Sequence, residues 1–559
     1  MNMNKNKNNR FMPIIMAACV VVGIFLGSFF SNHFSGNRLN IINSGSNRLN
    51  NLLHIIDDQY VDAVNIDSLV DEAIPLILAE LDPHSVYISA KDAAAATDDL
   101  KGSFSGVGVE FVIRDDTIHI QNVIQNGPAE KAGLLAGDKI VAVDGKPFVG
   151  KIVTNQEAMH RLKGPKDTKI KIGIVRYGSN KVQTYTVTRG DIPTKSVTAA
   201  YMLDNTTGYI RIKNFGENTY PEMLIALAKL SQEGFKNLCI DLRDNSGGYL
   251  SAAVNMANEF LSDKKLIVYT QGRKSPRQEY RSDGKGSYQN IPLVVLINEG
   301  SASSAEIFAG AMQDNDRATI IGRRSFGKGL VQQQLEFPDH SLIRLTIARY
   351  YTPSGRCIQK PYSMGDDKDY EQDLLDRYQH GEFFSKDSIK HTGPAYHTGL
   401  GRVVYGGGGI TPDIFVPEDT LGMTSYFKEA SLSGLILQYA FIYTDNNRPK
   451  LNNFKEMMEL SDYLSKQDMV DKFATYADKH GLQRRNLLIR KSHKLLERVL
   501  NGRIIYNMLN EQAWSQYINQ DDPVIKKTLE VFENHAAFPK KPVAGKQKKL
   551  SNKDHRKKK

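Results

Sequence analysis

Apolar and polar positions change period several times along this chain of 559 residues. Leu49, Leu52, Leu53 and Ile56 recur at three- and four-residue spacing, which predicts a helix. A second helix follows, with Asp67 or Ser68 as its N-cap and Ile74, Ile77, Leu78 and Leu81 on one face. Asp82-Pro83 stops it. Residues 90–101 are alanine-rich and polar. From Ser103 to Arg189 the pattern becomes short strand-like runs: VGVEFVI, IHIQNVI, KIVAV, IKIGIVR and VQTYTVT. One helical segment, NQEAMHRLKG, interrupts them, so this stretch reads as a small, mostly β domain. From Gly208 the apolar runs GYIRI, KNLCIDLR, PLVVLIN and ATIIG alternate with the helical segments EMLIALAKLSQE, YLSAAVNMANEFL and AEIFAGAMQDN. That alternation predicts a buried, largely parallel sheet. LIRLTIARYYT returns as a long strand. Residues 361–400, charged and aromatic without a period, read as an inserted loop or small subdomain. GGGG at 406–409 introduces ITPDIFV, and from about Leu421 to Phe538 the chain reads as helices. Trp514, the single tryptophan, is expected in a core there.

The net charge of +10 changes little once it is located. The tail from Lys540 to Lys559 holds ten Lys/Arg against one Asp, and Lys5, Lys7 and Arg10 add three more positive charges at the start. The folded middle is near neutral, so no nucleic-acid-binding face is expected. The tail reads as a solvated, disordered end. Between the N-terminal charges and the first helix lies FMPIIMAACVVVGIFLGSFF, residues 11–30, without a charged side chain. Twenty residues at about 1.5 Å each cross a hydrocarbon core of about 30 Å. The preceding cations place the N-terminus in the cytoplasm and the rest of the chain outside. The run is longer than the apolar part of a cleaved signal, so an uncleaved signal anchor is expected. Lipid attachment at Cys19 is disfavoured because the apolar run continues eleven residues beyond it. Cys239, inside KNLCIDL, is expected to be a buried thiol, and no disulfide framework is implied.

Chemistry concentrates at NEGSASSAEIFAG, residues 298–310, where a strand turns into a helix. A serine at such a turn exposes its hydroxyl at the sheet end, and the helix N-terminus offers unpaired N–H groups to an oxyanion. Small residues that pack a tight turn and cap a helix would look the same. A nucleophilic serine needs a base. His340, His391 and His397 stand in polar, loop-like surroundings, and no metal site is evident around the last two. Lys328, between two glycines in SFGKGLVQ, is the better base, provided burial lowers its pKa. Gln332 follows four residues later and can orient the amine. DLRDNSGG, residues 241–248, is another strand end followed by glycines, and its N–H groups can complete an oxyanion hole.

These stretches, with SFSGVGVEF at 103–111 and PAEKAGLLAGDKIVAVDG in the small β domain, resemble the carboxyl-terminal processing peptidases, or tail-specific proteases, in order and content. The resemblance covers roughly residues 50–420. It implies a multidomain α/β protein: a crotonase-like protease core with an inserted, mostly β PDZ domain and flanking helical regions. With the residue patterns outside that range, the expected bounds are a basic end and signal anchor at 1–35, a linker and N-terminal helices at 36–97, the PDZ domain at 98–192, the peptidase core at 193–420, a helical domain at 421–538 and a basic tail at 539–559. By this likeness Ser303 is the nucleophile, in preference to Ser301 and Ser304. Lys328 is the base, Gln332 positions it, and the N–H groups of Ser304 and of Gly247, with Gly248 close behind, hold the oxyanion. Ser246 departs from the Pro or Gly of many relatives, which bears on loop shape. PDZ domains add an extended peptide to a sheet edge and hold its carboxylate in a backbone nest, here expected at Val107, Gly108 and Val109.

The resulting expectation is a membrane-anchored serine endopeptidase of the bacterial cell envelope. Its core would lie on the outer side of the cytoplasmic membrane, and its substrates would be proteins with unstructured C-termini. No cofactor is implied, and whether a homo-oligomer or an adaptor is needed is not legible. The alternative, a non-catalytic PDZ scaffold for C-terminal peptides, is disfavoured because serine, lysine and glutamine are all present.

Overall fold

The computed structural model describes residues 21, 45–98, 101–114, 116–124, 126–176, 181–365, 368–391 and 393–541. The expected signal anchor at 11–30, but for Val21, and nearly all of the basic tail lie outside the described residues. No helix among the described residues is long and apolar enough to cross a membrane. The chain divides into two compact units, Met1–Leu78 and Ala79–Lys559.

The first unit holds the helix Gly45–Gln59 and nearly all of the helix Ile66–Ala79. The cap of the latter is neither Asp67 nor Ser68. Asn65 accepts the Ser68 N–H on its side-chain oxygen at 3.1 Å, so the helix begins two residues early.

In the second unit, the alternation of KIKIGIV is repeated in space. Ile170, Ile172 and Ile174 are buried while Lys169 and Lys171 face solvent. This strand, Lys169–Val175, is the fourth of an antiparallel sheet in the order Val109–Arg114, Thr117–Val123, Lys139–Val143, Lys169–Val175, Val182–Thr188. The helices Pro128–Ala132 and Asn155–Leu162 complete this small domain. The chain enters and leaves it through one antiparallel pair, Ser103–Gly106 against Gly190–Pro193.

The next layer is a six-stranded sheet ordered Val197–Met202, Thr207–Ile212, Asn237–Asp241, Leu293–Ile297, Thr319–Gly322, Ile414–Phe415. Its first pair is antiparallel and the remaining pairs are parallel. All five residues of Leu293–Ile297 are buried, as a strand covered on both faces requires. Leu293, Val295 and Ile297 meet the helices Thr219–Gln232, Leu250–Asn258 and Ser304–Asp314. Val294 and Leu296 meet Val524, Ile525 and Phe532 of the helix Pro523–Glu533 on the other side, where Cys239 is also buried. A second, antiparallel sheet is built on the long strand Leu342–Tyr351, which pairs with Val86–Ile88, Leu266–Gln271 and Leu330–Glu336. Residues 361–400 contain the helix Lys368–Gln379, whose polar composition hid its period. The C-terminal region is helical from Ser425 to Glu533, with its own apolar core.

Candidate active site

The buried strand Leu293–Ile297 ends at a turn whose three serines do different work. Ser301 is fully buried; its hydroxyl donates to the Leu242 carbonyl at 2.7 Å and accepts from Asn298 N at 3.0 Å. Ser304 is buried and donates to the Gly248 carbonyl at 2.8 Å. Ser303 alone is partly exposed, and its backbone sits at φ 55°, ψ −116°, a region that non-glycine residues avoid. A strained residue between two anchored ones is a hydroxyl held up out of the turn.

The loop 242–248 is laced to this turn. Asn298 Oδ1 accepts from Asp244 N at 2.8 Å, its Nδ2 donates to Asp244 Oδ1 at 2.8 Å, and Ala302 N donates to the Asn245 carbonyl at 2.9 Å. Gly247 adopts φ 99°, and a β-carbon there would lie 2.6 Å from Ser303 Cβ. Only glycine fits at that approach. The Gly247 N–H donates to the Asn245 side chain at 2.8 Å. The N–H groups of Gly248 and Ser304, in contrast, meet no acceptor among the described residues.

After the strand Thr319–Gly322 the chain passes through Ser325 and Gly327 to Lys328. The Lys328 amine donates to Gln332 Oε1 at 3.0 Å, and Gln332 Nε2 donates to the His84 carbonyl. Burial first, then the nearby Arg344 guanidinium, holds the lysine below its ordinary pKa. His84, partly buried and close to that lysine, is lowered to about 4, and its Nε2 lies 2.7 Å from the Tyr370 hydroxyl. The carboxylates of Asp82 and Glu306 pull the other way but more weakly than burial and Arg344, so the net shift stays downward.

The junction between serine and lysine is Glu306, which the sequence reading overlooked. This fully buried carboxylate accepts from Ser303 N at 2.9 Å and Lys328 N at 2.8 Å on one oxygen. The other accepts from Gly327 N at 2.7 Å and the Ser325 hydroxyl at 2.5 Å. The backbone nitrogens of Ser303 and Lys328 thus lie within two hydrogen-bond lengths of each other. Burial raises the Glu306 pKa to about 7, against the pull of its four donors. The buried Tyr350 hydroxyl lies against the carbonyls of both Ser303, at 3.0 Å, and Lys328. A signal was present: Ser303-x-x-Glu306 has the spacing of a capping box, in which the third residue of a helix returns to the N-cap N–H.

The small β domain offers a second candidate site. Val109–Arg114 is the edge strand of its sheet. Gly108 adopts φ 79°, where a β-carbon would stand 2.9 Å from Ile192 Cδ1. The N–H groups of Val107 and Gly108 meet no acceptor among the described residues. Ile124 donates across the ladder to the Gly108 carbonyl at 3.0 Å, so Val109 and Val123 form a non-hydrogen-bonded pair and the Val109 N–H points to the open edge.

Residues 206–371 match the model of peptidase family S41, and residues 105–188 match the PDZ domain. A carboxy-terminal-processing protease of Bartonella bacilliformis is 38% identical over 338 residues, 59% of this chain and 76% of that protein. The chain belongs to this protease family. Carboxy-terminal processing protease CtpA of Bacillus subtilis is 34% identical over 314 residues, 56% of this chain and 66% of that one. Among solved structures, the photosystem II D1 C-terminal processing protease matches at 32% identity over 55% of this chain and 82% of its own, with a TM-score of 0.32. Residues 426–510 match a family of unknown function.

The protein is therefore a C-terminal processing serine protease carrying a PDZ domain. Glu306 and Tyr350 link the backbones of Ser303 and Lys328, Gln332 holds the lysine amine, and Ser304 ties the serine turn to the loop 242–248. The histidines weighed as alternatives lie in other settings: His340 contacts Glu336 at 2.8 Å, and His391 stacks on Tyr405. Gly247 is corrected in one respect. It supplies the close approach to Ser303, but its N–H is engaged by Asn245.

Proposed function

We propose that the protease works through a Ser303–Lys328 dyad on the unstructured C-termini of protein substrates. The observation that carries this reading is the single Glu306 carboxylate that joins the backbones of Ser303 and Lys328 beside a partly buried amine held below its ordinary pKa. Neutral Lys328 takes the proton of Ser303 as its oxygen attacks the scissile carbonyl. The oxyanion that forms lies between the unpaired N–H groups of Gly248 and Ser304, and we assign the donor to Gly248 in place of Gly247. Lys328, now charged and oriented by Gln332, returns the proton to the leaving amine. Water then hydrolyses the acyl-enzyme with the lysine as base again.

The PDZ domain receives the substrate tail as an added strand along Val109–Arg114, its carboxylate on the N–H groups of Val107, Gly108 and Val109. Residues 11–30 anchor the protein in the cytoplasmic membrane with the protease core outside it, a reading supported by Lys5, Lys7 and Arg10 before the apolar run. The alternative of a PDZ scaffold without activity is not favoured by any feature of the site. Mass spectrometry of cellular C-termini in a Ser303→Ala strain tests the whole reading. Tails that persist in the variant and are trimmed in wild type support it, and identical C-termini overturn it. Protease accessibility on spheroplasts tests the orientation.

A further inference from the structure

The helices after Ser425 hold none of the candidate catalytic groups, and the part that matches a known family matches one of unknown function. They nevertheless touch both ends of the proposed reaction path. Along Thr117–Val123 the side chains alternate. Ile118 and Ile120 face the PDZ core, while His119 and Gln121 turn to the helices. The buried His119 ring stands edge-on to Phe441, centroids 5.8 Å apart, and Gln121 Nε2 donates to Asn507 Oδ1 at 2.5 Å. On the neighbouring edge strand Glu110 meets the Tyr506 hydroxyl at 3.5 Å. The proposed tail-binding hairpin thus lies between its own core and the helices Leu435–Leu451 and Asn486–Met508.

The same helical region continues to the catalytic sheet. Asn519 Nδ2 donates to the Tyr201 hydroxyl at 2.7 Å, and Asp522 pairs with Arg243 at 2.6 Å. Arg243 in turn holds Asp241 at 2.6 Å, at the end of the strand from which the loop to Gly247 and Gly248 departs. The PDZ domain is joined to the chain through a single two-stranded neck. A domain on one neck swings, and a tail caught by a swinging domain reaches the serine only at the effective concentration of a tether.

We propose that the C-terminal helical domain is a strut. It docks on the outer face of the tail-binding hairpin, with Tyr506 and Asn507 as its contacts, and is fixed to the base of the oxyanion loop through Asp522. It thereby presents a captured tail to Ser303 at a set distance. Tyr506, Asn507 and Asp522 are positioning residues, and their role rests on the tail-binding reading of the PDZ domain.

The test uses the full chain and three measurements. These are kcat and KM on a peptide ending in an apolar residue with a free carboxylate, the affinity of that peptide for each variant in a Ser303→Ala background, and the rate of labelling by a fluorophosphonate. Tyr506→Ala/Asn507→Ala is expected to keep labelling and tail affinity within about twofold of wild type while kcat falls roughly tenfold. Gln121→Ala, which removes one contact from the PDZ side, moves kcat in the same direction with the helices untouched. Asp522→Asn lowers the labelling rate as well, because it loosens the oxyanion loop. Unchanged kcat in both hairpin-contact variants overturns the strut, as does a kcat loss matched by loss of labelling in all of them. If wild type itself cleaves acid and amide peptides equally, tail capture fails and the strut falls with it. If wild type prefers the acid and the variants match it, the strut falls alone.

Discussion

The Oε2 oxygen of Glu306 accepts the backbone N–H of Lys328 at 2.8 Å, and the same oxygen accepts the N–H of Ser303. One carboxylate therefore sets the spacing between the two residues of the proposed dyad. Glu306→Gln keeps the volume but replaces one acceptor oxygen with an amide that faces N–H or O–H donors. At least one buried donor is left unpaired, at a cost of about 1–3 kcal/mol in stability. Misplacement on the scale of about 1 Å is worth about 10²-fold in rate. Glu306→Gln is expected to lower kcat by that order with little change in KM, read from steady-state kinetics alongside thermal unfolding. A variant with wild-type kcat would show that the spacing does not depend on this carboxylate.

Ser303→Ala and Lys328→Ala should each abolish cleavage, and the double variant should lose little more than either, because the two act as a unit. Lys328→Arg should be inactive too, since a guanidinium stays protonated. Active-site labelling and peptide cleavage check this, and activity retained in any of the single variants excludes the dyad.

The pH profile follows from the surroundings of Lys328. Burial and Arg344 lower its pKa, so kcat/KM should rise with pH to a plateau reached below the ordinary lysine range. Arg344→Gln removes one of the two depressing causes and should shift the rising limb to higher pH. The linkage has a definite sign. A lysine depressed in the fold binds fewer protons there than when unfolded, so its contribution to stability grows as pH rises through the folded-state pKa. Activity that is flat with pH in both proteins would point to a different base.

Much of this site was legible before the structure, for a physical reason. Ser303, Lys328 and the glycines of DLRDNSGG stand at strand ends, where short-range pattern shows both the sheet and the turn. Glu306 carried a readable spacing but sits among apolar helix residues, AEIFAG, where a carboxylate passes for a solvated position. Nothing local marks it as fully buried. Tyr350 is harder still: within LIRLTIARYYT it is one of two adjacent tyrosines, and only the pairing register of the long strand decides which hydroxyl faces Ser303. The choice between Gly247 and Gly248 depends on where Asn245 points, and the docking of the C-terminal helices on the PDZ hairpin depends on contacts almost four hundred positions apart, such as Gln121 with Asn507.

Gly247→Ala isolates the close approach at the serine. The new methyl would meet Ser303 Cβ at 2.6 Å, on a residue whose φ of 99° already disfavours a side chain. The neighbour cannot yield without moving the proposed nucleophile. A loss of about 10²-fold in kcat, with tail affinity intact, is expected from kinetics and peptide binding measured together. Wild-type kcat would mean that the loop moves in place of the serine.

Tail capture makes the remaining prediction. The N–H groups of Val107 and Gly108 meet no acceptor among the described residues, and that of Val109 lies on the open side of the edge strand that starts there. A free carboxylate there gains charge-assisted hydrogen bonds worth about 1.5–3 kcal/mol each, and an amide gains less from the same donors. Partly buried Val109 and Phe111 beside them favour an apolar last residue. A peptide ending in a free apolar residue should therefore show a KM at least tenfold or so below that of its amide, since about 1.4 kcal/mol is tenfold in affinity. Gly108→Pro deletes one donor and demands a negative φ where the chain holds 79°, so it should erase the difference between acid and amide. The labelling rate of Ser303 by a fluorophosphonate separates this from general damage, because a local change in the PDZ domain leaves it unaltered. If acid and amide are cleaved alike by wild type, the nest does not read the terminus and the edge strand must select substrates by some other feature of the chain.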